Sequence, residues 1–117
     1  MLWEGAYGII YLLNPKNYID ARILRDGIYE HKLVTYFCNQ FNSLGCDIFL
    51  DIGANIGNHS CALAKYFDEV YSFEPFNLHF SLLKINTSNL RNINIFNYAC
   101  GNQNSKKSVV GRWSNKF

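Results

Sequence analysis

Two carboxylates, and the glycine-containing turn between them, carry the chemistry this sequence offers. The run Phe49-Leu50-Asp51-Ile52-Gly53-Ala54-Asn55-Ile56-Gly57-Asn58-His59-Ser60 reads as a strand, a turn and the first turn of a helix. That arrangement brings bare backbone N–H groups and a helix start up to a ligand. Asp51 stands at the end of the strand, and Glu74 closes the next apolar run, Val70 to Phe73. A carboxylate that ends a second strand can accept both hydroxyls of a ribose. One at the end of the first strand suits a cationic or amino-bearing group. Together they point to a nucleotide-like cofactor with ribose hydroxyls and an amino group.

Each feature has a plainer alternative. Glycine turns between strand and helix also serve packing. Glu74 as a solvated strand end is disfavoured by its spacing of about 20 residues from the turn. The nicotinamide fingerprint G-x-G-x-x-G is not met, because Asn55 and Asn58 stand where its second and third glycines would fall. Pro75 and Phe76 offer a rigid, apolar wall for an adenine ring; they equally suit a helix-starting proline and a core aromatic. His59 invites a general-base role. His31 and His79 fall on helices without cysteine or acid at ligand spacing, so no metal site is expected.

These residues need elements to hold them. The first 14 residues are apolar and aromatic without a clear period, and Pro15 punctuates them. A helix is expected from Asn17, with Ile19, Ile23 and Leu24 on one face and Gly27 ending it. A second fits Glu30 to Asn42, with Leu33, Val34, Phe37 and Phe41 on a stripe. Asp47 to Ile52 reads as a strand buried on both faces. A helix over Asn58 to Phe67 follows, with Cys61, Leu63 and Ala64 inward. Then come the strand Val70 to Phe73, a helix opened by Pro75 and running to about Asn86, and a strand Ile93 to Tyr98. This is the βαβαβ half of a doubly wound α/β sheet preceded by helices. Right-handed crossovers place the second strand beside the first and the third beyond it. Ser108-Val109-Val110 reads as a short strand in a polar, basic tail.

Composition narrows the class. With 117 residues, 49% hydrophobic and 16% aromatic, the chain suits one packed domain, on the short side for a doubly wound one. A net charge of +2 without a basic block does not imply nucleic acid. Cys38, Cys46, Cys61 and Cys100 form no CxxC and read as free, mostly buried thiols of a reducing compartment. No signal peptide or membrane span is read: Glu4 comes almost at once, and the apolar run Ile9 to Leu13 is short. A cytoplasmic protein is expected. The many scattered asparagines read as compositional bias.

The combined motifs resemble the FkbM family of S-adenosylmethionine-dependent methyltransferases. They are Asp51 to Ser60, Phe73-Glu74-Pro75, Phe80-x-Leu82-Leu83-Lys84-x-Asn86 and Asn97-Tyr98-Ala99, with Gly27-Ile28-Tyr29-Glu30 as a lead-in, and the likeness spans roughly Tyr18 to Asn104. The resemblance implies a partial Rossmann-like class I methyltransferase fold and S-adenosyl-L-methionine as cofactor. It implies that Asp51, Gly53, Ala54, Asn55 and Gly57 line the cofactor's methionine and ribose, with Asn58 and His59 near the methionine carboxylate. Glu74 would hold the ribose hydroxyls, Pro75 and Phe76 would flank adenine, and Asn97 and Ala99 would lie at the adenine edge. Many methyltransferases carry an acid in that last region, where this chain has asparagine.

Residues 1–45 are thus expected as a helical lead-in and 46–117 as the cofactor-binding half of a truncated methyltransferase domain. The acceptor would be a sugar or small-metabolite hydroxyl, that is, a small molecule or a glycan. The remainder of the domain, or a partner chain, would complete the sheet. Two other readings stay open: a nucleotide-dependent oxidoreductase with a degenerate glycine turn, and a non-catalytic cofactor-binding fragment.

Overall fold

The protein is described by a computed structural model over residues 1–108. The strand expected at Ser108-Val109-Val110 falls, at both valines, outside the described residues. Two strands, Leu2–Glu4 (β1) and Ile10–Leu12 (β2), form an antiparallel hairpin over a short 3-10 turn at Ala6–Gly8. Two helices follow, Tyr18–Asp26 (α1) and His31–Leu44 (α2). The strand Ile48–Ile52 (β3), the helix Asn58–Leu63 (α3), Glu69–Phe73 (β4), the helix Asn77–Asn86 (α4) and Ile93–Phe96 (β5) complete the order. No helix among the described residues is long and apolar enough to cross a membrane.

The helices begin and end for local reasons. The Asn17 side chain accepts the Ile19 N–H at 3.0 Å and caps α1, and Gly27 closes it. Asp20 in its first turn and Arg25 in its last oppose the helix dipole. In α2, Val34 and Cys38 are one turn apart and buried, with Phe37 and Phe41 packed beside them. Leu33, expected on the same stripe, is exposed. The expected helix 58–67 is shorter: α3 ends at Leu63 and a 3-10 turn, Ala64–Tyr66, continues it. Cys61, Leu63 and Ala64 point inward as their spacing implied. Pro75 does not open α4, which starts two residues later with Phe76 at its N-cap.

The hairpin has no counterpart in the sequence reading. Three-residue strands are too short to show an alternation. Docking, not local pattern, places them: Tyr11 and Leu13 are buried with Ile23 of α1 and Ile56. Ala6 donates its N–H to the Gly27 carbonyl at 2.7 Å, and a Cβ on Gly5 would collide with that same oxygen.

The second sheet is parallel, in the order β3-β4-β5. This is the adjacency that right-handed crossovers require. Its register sets Asp51 beside Ser72 and Ile52 beside Phe73. One face carries Phe49, Asp51, Val70, Ser72 and Ile93 toward the helices, where the core with Val34, Ala62 and Leu63 lies. The other face is open. Ile48, Leu50 and Ile52 are 56%, 58% and 64% exposed, and Tyr71, Phe73 and Phe96 stack along it. The expectation that β3 is buried on both faces is therefore corrected: among the described residues helices cover one side only, and β3 is an edge of the sheet. Two of the four free cysteines, Cys38 and Cys61, are buried; Cys46 and Cys100 are exposed.

A buried acid sits in the first layer. Asp20 is 1% exposed; one oxygen accepts the Asn14 N–H at 2.7 Å and the other has no partner. Burial raises its carboxyl above the ordinary value of 3.8, against the lowering influence of the Asn14 bond. Between the ordinary and the raised value the folded chain holds a proton that the unfolded chain has released, so this contribution to stability falls as pH rises through that window. Asp20→Asn is expected to flatten the slope. Denaturant midpoints collected across the window check it, and an unaltered slope would show that another group carries it.

Candidate functional site

The carboxyl ends of β3, β4 and β5 lie side by side, where open α/β sheets form ligand crevices. The turn after β3 folds over the end of β4: Gly53 and Ala54 both donate N–H groups to the Phe73 carbonyl at 2.9 Å. Gly53 has φ +84° with nothing within 4 Å of where a Cβ would stand, so the chain is left-handed and open toward a ligand there. Asn55 is also left-handed, at φ +53°. Its side-chain oxygen is buried without a partner.

Glu74 is the centre of this region. It is 4% exposed and accepts the Asn55 N–H at 2.9 Å on one oxygen and the Phe76 N–H at 2.8 Å on the other. Its carboxylate thereby joins the turn after β3 to the loop after β4. Each oxygen retains a lone pair for a further donor. His79 Nδ1 lies 3.9 Å away. Asn97, just past β5, donates its amide N–H to the carbonyls of Glu74 at 2.8 Å and Pro75 at 3.3 Å. Pro75, Phe76, Asn97 and Ala99 come together on one cleft of about 640 Å³. A second cavity of about 650 Å³, between the hairpin and the residues leading into β5, holds none of the residues expected to bind a cofactor.

Asp51 faces the other way. It lies on the helix-covered side of β3, 7% exposed, and accepts the Ser60 hydroxyl at 2.5 Å. Ser60 in turn lies 2.7 Å from the Ser72 hydroxyl. With its own proton committed to Asp51, Ser60 serves as the acceptor for Ser72. This line of three seats α3 on β3 and β4. Beside it, burial pushes the Cys61 thiol up to about 12, and the neighbouring Asp51 adds to that. Such a thiol is inert.

Asn58 is buried too, and both ends of its amide are engaged: it accepts the Tyr29 N–H and donates to the Tyr29 carbonyl, both at 2.9 Å. The lead-in Gly27-Ile28-Tyr29-Glu30 is thus fastened to the start of α3. His59 Nε2 lies 3.1 Å from the Glu30 carboxylate, an ion pair when the imidazole is protonated. Replacing Asn58 by alanine removes two hydrogen bonds worth about 0.5–1.5 kcal/mol each. A loss of about 1–3 kcal/mol in urea unfolding is expected, and a smaller one would mean that water replaces the clamp without penalty.

Sequence reasoning gave no tying role to the other asparagines that do this work, although Asn86 stands in the motif quoted above. Asn86 accepts the Leu12 N–H at 2.6 Å and donates to the Ile56 carbonyl at 2.8 Å, tying hairpin, turn and α4 together. Asn92 donates to the carbonyls of Ala64 and Phe67. What looked like compositional bias is in part a set of long-range backbone ties. The signal available was their position, at element ends and not within elements. No family model matches the chain, and no curated protein matches it.

Proposed function

We propose that this chain binds S-adenosyl-L-methionine at the ends of β3, β4 and β5 and is the cofactor-binding part of a methyltransferase. The observation that carries the reading is Glu74, a nearly buried carboxylate fixed by two backbone N–H groups between the glycine turn and the cleft beyond Pro75 and Phe76. A carboxylate so placed suits a ribose diol. The open, left-handed Gly53 and the unpartnered Asn55 oxygen fit a polar ligand lying across the turn. Pro75, Phe76, Asn97 and Ala99 suit an adenine ring in the cleft.

The cofactor supplies an electrophilic methyl group. The chain's residues hold and orient it, and an acceptor hydroxyl of a sugar or small metabolite would be brought in line from beyond the open side of the sheet. The apolar outer face of β3 and β4 fits a covering layer, from further strands and helices or from a partner chain.

Calorimetry with S-adenosylhomocysteine and with NADH tests the proposal. Binding of the former and not the latter is expected. NADH binding alone would favour the oxidoreductase reading and sink this one.

A further inference from the structure

We infer that Glu30, not Asp51, is the carboxylate that receives the ammonium group of the cofactor's amino-acid tail; this rests on the function proposed above. Such a tail presents a cation beside the glycine turn, and an accessible carboxylate must meet it there. Asp51 is turned to the helix-covered face, 7% exposed and bound to Ser60. Glu74 is 4% exposed, and its remaining lone pairs are those proposed above for the ribose hydroxyls. Glu30 remains, and three features aim it. Asn58 holds the backbone of the preceding residue, Tyr29, from both sides. Glu30 itself is at φ +54°, one of two non-glycine residues with positive φ among the described residues, the other being Asn55 in the turn. That conformation is costly for a side chain and persists where the surroundings enforce it. It turns the carboxylate back toward the start of α3, where one oxygen lies 3.1 Å from His59 Nε2. The side chain is 40% exposed, so a ligand can reach it, and the second carboxylate oxygen is available to a further donor. Glu30 is also on the rim of a surface cleft with Arg22 and Asp26, which pair with each other at 3.6 Å.

The test compares two ligands and two variants by calorimetry. S-Adenosylhomocysteine carries the amino-acid tail; 5′-methylthioadenosine lacks it. Glu30→Gln removes the charge and keeps the shape. Glu30→Gly removes the carboxylate while relieving the left-handed backbone, so it should fold at least as well as the parent. Both variants are expected to weaken S-adenosylhomocysteine about tenfold or more and to leave methylthioadenosine within about twofold. Unchanged S-adenosylhomocysteine affinity in both, or an equal loss for both ligands, overturns the assignment and leaves the proposed function standing. A parent chain that binds neither ligand overturns the function on which the assignment rests.

Discussion

Glu74→Ala is expected to disturb two properties at once. The carboxylate is 5% exposed and holds the N–H groups of Asn55 and Phe76. Hydrogen bonds to a charged group are worth about 1.5–3 kcal/mol each. Relief of the carboxylate's own desolvation offsets part of this, leaving a loss of about 3 kcal/mol in folding stability. With the two N–H groups released, the turn after β3 is no longer tied to the loop after β4. If the same carboxylate meets the ribose hydroxyls, S-adenosylhomocysteine binding falls by tenfold to a hundredfold, roughly 1.4–2.8 kcal/mol. Glu74→Gln separates the effects. It keeps one acceptor for the backbone but sets an NH₂ against the other N–H. Urea melts and calorimetry on both variants read them; lost stability with unchanged affinity would confine Glu74 to a structural role.

The second large effect concerns Gly57. At φ +94° it sits in left-handed backbone, and a Cβ there would stand 2.9 Å from Leu83 Cδ1 and 3.5 Å from both Cys61 Sγ and Thr87 Cγ2. Leu83 is fully buried, so its terminal methyl can give way only by repacking within the core. Left-handed backbone costs a side chain about 1–2 kcal/mol, and overpacking a filled core about 1–3. Gly57→Ala is therefore expected to lose about 2–5 kcal/mol, a large part of a small domain's stability. Gly53→Ala is the control. Its backbone is also left-handed, but its Cβ would meet nothing within 4 Å. It should lose only the backbone share while obstructing a ligand that lies across the turn. Equal destabilisation by the two would remove the close approach to Leu83 as the reason for glycine at 57.

The order of elements from Asn17 onward could be read from the chain because its signals are local. Asn17 and Gly27 mark the ends of α1, and the apolar runs before Gly53 and Glu74 mark β3 and β4. The direction of Asp51 could not be read in the same way. A strand taken as buried on both faces assigns no side to any of its residues. Once Ile48, Leu50 and Ile52 are seen on the open face, alternation alone places Phe49 and Asp51 under the helices. The hairpin was hidden because its partners, Ile23, Ile56 and Asn86, are far away in sequence. Of the site, the glycine turn, Glu74 and the Pro75–Phe76 cleft stood out by residue type. The partnership of Asn58 with Tyr29 spans 29 residues and leaves no periodic trace.

The asparagine ties carry one more consequence. Asn58, Asn86, Asn92 and Asn97 fasten loops to distant elements through neutral amides. Dissolved salt screens pairs of surface charges and weakens them, whereas bonds between neutral dipoles at contact distance are little affected. The ion pairs of Arg22 and Arg25 with Asp26 lie on α1, and the histidine pairs His59–Glu30 and His79–Glu74 are the charged contacts beside these ties. The asparagine share of the frame that holds the turn is therefore built to keep its shape across ionic strengths.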